Sequence, residues 1–432
     1  MFRFVRSAQS ESEWPQKTRK KNKKREPMKT ITILGVMTGT SCDGLDAAAV
    51  RFSGGKAQTL WTRSTPYSPT LKARVLALQA SGRKESLASL LQLHRDLGDW
   101  YGQTLSRMPL NGIDLIANHG QTVAHFAPHS TLQLGEPACI SQKTGLTLIS
   151  DFRWGDLASG GQGAPLVPKF HRFLFESITS GNASTAGDAI SLHNLGGISN
   201  LTYLNHSKEP RAWDTGPANL WIDAILRSRS QGRIAYDRGG RIAMRGKVAE
   251  REMKLLLDHP FFLKKPPKST GRDDFTEAQV IKITRRLSTE DAVATATAAT
   301  ARSIAESYVA HILRRGQPLS SIYFCGGGAK NKTLTHLIQL ELMNLGWWVS
   351  IDDTHTLGID PQFMEASAFA YLGYLALQGE ALGGPWTGGS EDAPSAKITP
   401  GKNWRQLSRW FESRNPAHSR QGGRNRRAVH HK

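Results

Sequence analysis

Three times along this chain an apolar run stops at a cluster of glycines and small polar residues and then resumes. In the first, Gly35-Val36-Met37 leads into Thr38-Gly39-Thr40-Ser41-Cys42-Asp43-Gly44 and leaves through Leu45-Asp46 toward Ala47–Val50. In the second, Ser191–Leu195 meets Gly196-Gly197 and continues from Ile198 to Thr202. In the third, Ile322–Cys325 enters Gly326-Gly327-Gly328-Ala329-Lys330-Asn331 and then a helical pattern. Small residues let backbone N–H groups and hydroxyls approach an anion closely, and the Asp residues of the first turn can reach a Mg²⁺ through water. Three such turns, widely spaced, predict one nucleotide held between two lobes. The chain has no Gly-x-x-x-x-Gly-Lys-Ser/Thr and no Gly-x-Gly-x-x-Gly, so neither a P-loop nor a dinucleotide fold is expected.

Asp214 is the carboxylate with the clearest chemical setting. It ends a short predicted strand, Arg211–Trp213, and enters a Thr-Gly-Pro turn that fixes its backbone beside the second hairpin. A rigid carboxylate there can take a proton from a nucleophile, and it can equally hold the loop as an Asx turn. Arg153 offers a planar fork for a carboxylate or other oxygen acceptors, while His119, Gln121 and Thr122 offer neutral donors and acceptors. Glu365 opens an apolar helix, where it can accept hydroxyls of a ligand, support Asp214 or simply complement the helix dipole. Lys268 and Arg272 flank Ser269-Thr270-Gly271 in a loop that can close over phosphates or stand in solvent. His125, His129 and the pair His430-His431 match no zinc spacing.

The turns resemble those of the superfamily of sugar kinases, Hsp70 chaperones and actin. The resemblance narrows with Asn118-His119-Gly120-Gln121-Thr122-Val123, Asp151-Phe152-Arg153, Gly160-Gly161-Gln162-Gly163-Ala164-Pro165-Leu166-Val167-Pro168, Trp213-Asp214-Thr215-Gly216-Pro217-Ala218-Asn219, Pro267–Arg272 and Met364-Glu365-Ala366. In this order, from about Met28 to about Trp404, they resemble the anhydro-N-acetylmuramic acid kinases. Thr38 stands where that family usually has Ser, Ala218 where it has Gly and Asp273 where it has Glu; each keeps the hydroxyl, the small size or the charge.

The resemblance implies a two-lobed α/β fold of the actin-like, ribonuclease H-like kind, with nucleotide and sugar in the cleft between lobes. It implies ATP and Mg²⁺ as cofactors. ATP would be held by Gly39, Thr40, Ser41, Cys42, Asp43, Gly44, Leu45 and Asp46, by Gly196 and Gly197, and by Gly326, Gly327, Gly328 and Asn331; the Mg²⁺ ligands stay open. It implies sugar contacts by His119, Gln121, Thr122, Arg153 and Glu365, and Asp214 as the base. The implied reaction opens 1,6-anhydro-N-acetylmuramic acid with water and phosphorylates O6, giving N-acetylmuramate 6-phosphate and ADP in peptidoglycan recycling. The family also suggests a homodimer. A kinase for another amino sugar and a non-catalytic ATP-binding switch are the rival readings, and turnover with a panel of sugars separates them.

Charge does not call for a nucleic-acid partner. Residues 1–27 carry +6 and residues 401–432 carry +8, so the ends hold +14 of the net +20. The remainder is mild for a chain that binds anionic nucleotides, and the ends read as disordered basic arms. Met28 is the alternative natural start. No run of 18 apolar residues occurs, and three cysteines, Cys42, Cys139 and Cys325, are too scattered for a disulfide framework. A cytoplasmic enzyme without specific nucleic-acid or membrane partners is expected.

Length and a 39% hydrophobic content allow two domains, each with a substantial core. Apolar spacing predicts a helix over 83–108, strands at 113–117, 131–134 and 146–150, a long helix over 289–313, a strand at 321–325, a helix at 333–345, a strand at 347–351 and an apolar helix from Glu365 to about Gln378 that crosses back to the first lobe. The expected division is an extension at 1–27, a first lobe at 28–154 with a returning segment from about 380 to 404, a second lobe at 155–379 and a disordered tail at 405–432. His94-Arg95-Asp96-Leu97 mimics a protein-kinase catalytic loop but lies within the predicted helix, with Tyr101 where that loop needs Asn.

Overall fold

The computed structural model describes residues 30–39, 42–79, 86–179, 189–206, 208–271, 274–390, 393 and 396–412. The expectations for the 1–27 extension, for Met28 and for residues beyond 412 lie outside them.

The chain opens with an antiparallel meander of β1 (Ile31–Thr38), β2 (Gly44–Ser53) and β3 (Lys56–Pro66). Helices α1 (Pro69–Gln79) and α2 (Leu87–Ser106) cross over to β4 (Leu115–Phe126), which lies parallel to β1 on its free side. After β5 (Ser130–Leu134) and α3 (Pro137–Thr144) comes β6 (Leu148–Ser150), parallel to β4, and then α4 (Trp154–Ala158). Helix α5 (Pro168–Thr179) leads to a second meander, β7 (Ile190–Leu195), β8 (Ile198–Asn205) and β9 (Lys208–Pro217). A helical stretch follows: α6 (Asn219–Arg229), α7 (Glu250–Leu257), α8 (Pro260–Leu263), α9 (Glu277–Thr284) and α10 (Thr289–His311). It returns to β10 (Ser321–Cys325), α11 (Lys332–Asn344) and β11 (Ser350–Asp353). The chain then runs through α12 (Met364–Leu377), β12 (Lys397–Thr399) and α13 (Trp404–Glu412).

The two sheets repeat one plan. The first has the order β12-β6-β4-β1-β2-β3, with β5 on β4, and the second β11-β10-β7-β8-β9. From β3 to β6 and from β9 to β11 the neighbour relations are the same: antiparallel, antiparallel, parallel, parallel. Two copies of this mixed sheet with crossover helices make the two-lobed actin-like fold. The first and second glycine turns occupy equivalent places, between strands one and two of each copy.

Burial explains where the layers sit. Every residue of β1 except Met37 is buried, as a central strand covered on both faces must be, whereas β3 alternates between half-buried and exposed. One face carries α1, α2 and α3 through Leu71, Val75, Leu93, Leu97 and Tyr101. The other carries α12. A Cβ on Gly35 would stand 1.9 Å from the Ala366 carbonyl oxygen and 2.6 Å from the Ala370 nitrogen, so only glycine lets the helix backbone lie on the strand. Across α12, Met364 and Ala368 enter the core of the second sheet with Phe170 and Phe175 of α5, and Tyr371 stacks on Phe173 at 4.5 Å. The helix is apolar all round because it is packed on both sides.

Several boundaries differ from expectation. The strand predicted at 113–117 runs on to Phe126 through bulges near Thr38 and Thr122, because β5 gives its polar second half a partner. The strand ending at Trp213 extends to Pro217, with a bulge between Ser199 and Asn200 of its partner, so Asp214 lies inside it. By its packing, α12 is a layer of the first sheet, and the return comes near Met364 rather than 380. The first lobe also keeps residues 155–166, since α4 and its following turn pack on β5 and on the 383–389 loop. Residues 404–412 are helical rather than disordered, and Leu407 is buried beside Ile149.

Asn403 fastens that returning segment. Its Oδ1 accepts from the Thr147 backbone N–H and hydroxyl at 2.8 Å each, and its Nδ2 donates to the Asp114 carbonyl at 2.8 Å. Thr147 is fully buried. Asn403→Ala is therefore expected to lower stability by about 1–3 kcal/mol, the cost of buried donors without an acceptor. Ending the chain after 404 should lower it further, by removing Leu407. A denaturant midpoint unchanged in both would show that the segment is not integral to the first lobe.

Candidate active site

The first hairpin stands on a buried polar floor. The Cys42 N–H closes the turn on the Gly39 carbonyl at 3.1 Å, and the Gln121 Nε2 donates to the same oxygen at 3.1 Å. Gln121 is fully buried, and the Tyr67 hydroxyl donates to its Oε1 at 3.1 Å. Gln121, expected to touch the sugar, has both ends of its amide engaged inside the protein. Thr122 is half-buried, with its carbonyl held by the Gln79 amide at 2.8 Å. Thr40 and Ser41 lie outside the described residues. Cys42 and Leu45 are fully buried core residues, so their part in the hairpin is to seat it, while Asp43 is exposed and pairs with Lys72 at 2.7 Å. Gly44 passes so close to β3 that a Cβ would meet the Thr65 carbonyl oxygen at 2.2 Å.

The second and third glycine turns come together. Gly326, at φ +78°, has no room for a Cβ because Asn194 Oδ1 would be 2.2 Å away, and a Cβ on Gly328 would meet that of Leu195 at 2.7 Å. Gly197 and Gly327, by contrast, have nothing within 4 Å where a Cβ would stand, so they face open space. The N–H groups of Ala218, Asn219 and Leu220 at the start of α6 donate to the carbonyls of Gly196 and Gly197. Asn331 is buried and caps α11, its Oδ1 accepting from the Leu334 N–H at 3.0 Å. Beneath this hairpin His193 bonds Ser199 at 2.6 Å and Tyr308 at 2.8 Å, and burial pulls the imidazole down to about 3.

A chain of polar contacts links the first hairpin to the third turn. Lys330 Nζ donates to Gln362 Oε1 at 3.0 Å, and Gln362 Nε2 donates to Asp46 Oδ1 at 3.3 Å. Glu365, three residues further on, lies within electrostatic reach of Arg153, Asp46 and Cys325. Burial pushes the Glu365 carboxyl up; the Arg153 charge opposes this and the Asp46 charge adds to it. Asp46 is likewise raised by burial, against hydrogen bonds from Ser64 and Gln362.

Arg153 is oriented from two sides. Its Nε donates to His119 Nε2 at 3.0 Å and its Nη1 to the Gly163 carbonyl at 2.8 Å. His119 must accept at Nε2 and so is neutral there, and burial together with the Arg153 charge holds its pKa well below the usual range. The His119 ring packs on Phe369 of α12 at 4.5 Å. Gly163 is held in turn by Asp156, a residue that motif reading passed over. Its Oδ2 accepts from the Gly163 N–H at 2.7 Å and its Oδ1 from the Thr387 hydroxyl at 2.7 Å, and Gly161, Gly383 and Gly389 crowd against the carboxylate. The signal was the unusual glycine density of two distant loops, which makes sense only around one buried anion.

Asp214 lies opposite Asn200 in β8, close to the second hairpin. Its Oδ2 accepts from the Thr270 N–H at 2.7 Å, and its own N–H donates to the Lys268 carbonyl at 3.0 Å. Burial pushes the carboxyl up to about 7 against the pull of the Thr270 N–H and the Lys268 charge. Lys268 itself sits over the Phe261 ring at 4.6 Å, while Arg272 lies outside the described residues. The structure thus gathers Asp46, Arg153, Glu365 and His119 in one neighbourhood and sets Asp214 on the second sheet with the 268–270 loop. Among the described residues no three His, Cys, Asp or Glu side chains gather as a metal centre, and no helix is long and apolar enough to cross a membrane. His94 and Asp96 of the kinase-like tetrapeptide pair with Glu136 and Arg74 on the α2 surface.

Comparison with known proteins adds a separate line. The family profile of the anhydro-N-acetylmuramic acid kinases matches residues 31–394. The chain is similar to the anhydro-N-acetylmuramic acid kinase of Burkholderia vietnamiensis, 38% identical over 351 residues that cover 79% of this chain and 88% of that one. It is 36% identical over 383 residues to that of Saccharophagus degradans, covering 85% and 98%. Among solved structures, the ADPNP-bound activator of the 2-hydroxyisocaproyl-CoA dehydratase from Clostridium difficile aligns at 13% identity with a TM-score of 0.37, over 79% of this chain and 93% of that one. That likeness is too loose to weigh, and the fold stands on the repeated strand order. With a profile match over most of its length and relatives aligned nearly end to end, the chain belongs to the anhydro-N-acetylmuramic acid kinase family.

Proposed function

Within that family's activity, the ATP-dependent phosphorylation of anhydro-N-acetylmuramic acid, we propose that Asp214 is the general base. Water attacks C1 of the 1,6-anhydro sugar, its proton passes to Asp214, the C1–O6 bond breaks, and O6 takes the γ-phosphoryl group of ATP. The products are N-acetylmuramate 6-phosphate and ADP. The observation that carries this reading is a carboxyl raised to about 7 and held by the Thr270 N–H on one oxygen. A base with a pKa near the working pH is both available and strong enough to matter.

The remaining roles follow from charge and space. The open faces of Gly197 and Gly327 and the Gly39 turn admit the nucleotide phosphates. Arg153, neutral His119 and Glu365 meet the sugar and its lactyl carboxylate, with Arg153 aimed by His119 and Gly163. Asp46 and Glu365, two carboxyls pushed up by burial with the Asp46 charge adding to the shift of Glu365, would suit a Mg²⁺ shared with phosphates, the cation usually taking one or two carboxylates. Held by these residues, Mg²⁺ would supply neutralisation of phosphate charge. Phosphoryl transfer otherwise needs positioning and electrostatic stabilisation rather than a covalent nucleophile.

Asp214→Asn is expected to lower kcat roughly 10²–10⁴-fold with ATP affinity nearly intact. The wild-type rate should rise with pH to a half-maximum near 7, where the carboxyl ionises. A variant keeping more than about a tenth of kcat, or a wild-type profile flat from pH 5 to 9, removes Asp214 from this role. The raised pKa also means that the stability it contributes is fully present below the unfolded value of 3.8 and is lost as pH rises through about 7. At pH 8, Asp214→Asn should therefore melt higher than wild type, which a thermal shift would read directly.

Arg153→Lys is expected to raise KM for the sugar far more than for ATP, since an ammonium cannot keep the bonds to His119 and Gly163 while facing a ligand. Gly197→Val should do the reverse. Because no protein atom crowds that position, its effect on ATP reports ligand approach rather than folding. Equal effects on both substrates in either variant would reject the assignment.

A further inference from the structure

The floor of the first hairpin contains hydroxyls and amides that the proposed chemistry does not use. Thr38 Oγ1 and the Tyr101 hydroxyl are 3.1 Å apart, and the Tyr101 and Tyr67 hydroxyls 2.8 Å apart. Tyr67 donates to Gln121 Oε1, and Gln121 Nε2 donates to the Gly39 carbonyl. Because the single Tyr67 proton is committed to Gln121, the Tyr67 oxygen accepts from Tyr101, while the Thr38 hydroxyl beside it donates to the Gly120 carbonyl at 2.9 Å. The circuit runs in one direction, from Tyr101 through Tyr67 and Gln121 to the Gly39 carbonyl.

This direction has a mechanical meaning. A glutamine amide has two orientations related by a half-turn, and only one presents Nε2 to Gly39. The phenol donor at Oε1 selects it. A second pin comes from Gln79, which accepts from Cys42 Sγ at 3.2 Å and donates to the Thr122 carbonyl. Tyr67 and Tyr101 are both buried, so no water replaces a missing link without a rearrangement. Gly135 makes room for the Tyr101 ring, which a Cβ there would meet at 2.4 Å.

We propose that Tyr67 and Tyr101 are positioning residues for the phosphoryl donor: they orient Gln121, which sets the Gly39 end of the first hairpin where the nucleotide phosphates need it. The inference rests on the reading of that hairpin as a phosphate site. Tyr67→Phe and Tyr101→Phe keep the ring packing and remove one hydroxyl each.

Steady-state kinetics with both substrates varied tests it on the full-length enzyme. Each variant should raise KM for ATP about 5-fold or more, the worth of one hydrogen bond, with KM for the sugar within about 2-fold. Gln121→Leu should do the same, and Tyr67→Phe combined with Gln121→Leu should be no worse than the poorer single variant, because both cut one link. A lowered melting temperature with all kinetic constants unchanged, equal rises in both KM values, or additive effects in the double variant overturns the proposal. Gly39→Val separates the two levels. If it leaves KM for ATP unchanged, the phosphate reading fails and the proposal with it. If it raises that KM while Tyr67→Phe does not, the positioning role alone fails.

Discussion

Helix α12 lies on β1 and β4 backbone against backbone, at Gly35 on the strand and at Gly373 on the helix, where a Cβ would meet that of Ala117 at 2.7 Å. A side chain at either place would lift or roll the helix. Its height and rotation decide where its first turn emerges, and that turn carries Glu365 to the neighbourhood of Arg153 and Asp46. The same helix offers Phe369 to both His119 and Phe152, the latter next to Arg153 in the chain. Just ahead of it Gln362 ties the first hairpin to Lys330 of the third turn. Residues from both lobes therefore take their places from one close contact between small residues.

The charges around this contact share a cause. Desolvation is the largest influence on Asp46, Arg153, Asp214 and Glu365, raising the carboxyls and lowering the guanidinium to about 10. Groups arranged in this way are only partly neutralised by one another, since Glu365 faces another carboxylate as well as an arginine. Titratable groups moved off their ordinary values by burial are common at sites built for charged reactants.

Much of this was legible in the sequence, and the failures are instructive. Long periodic elements such as α2, α10 and α12 were visible because one buried face repeats at helical spacing, and in α12 because every face is apolar. The strands fell short wherever their pattern left the core: β4 beyond Thr122 and β9 beyond Trp213 are held by partners, not by apolar alternation. Gln121 read as a ligand group because it is a neutral donor and acceptor within a polar motif, while its buried phenol partner lies 54 positions earlier and is invisible to local reading. The duplicated sheet left no trace by eye, since strand order and direction survive changes in nearly every side chain. The helix at 404–412 was hidden by the basic composition that follows it.

The two hairpins rest on floors of matching chemistry, Tyr101 of α2 with Thr38 beneath one and Tyr308 of α10 with His193 beneath the other. Burial raises the phenols far above neutral pH and drops the imidazole to about 3. None of these groups changes its protonation between about pH 4 and pH 9. The foundations are proton-inert, so acidity acts on the carboxylates of the cleft without loosening the supports beneath the hairpins. With Asp214 as the proposed base, acid is expected to stop the chemistry while these supports still stand.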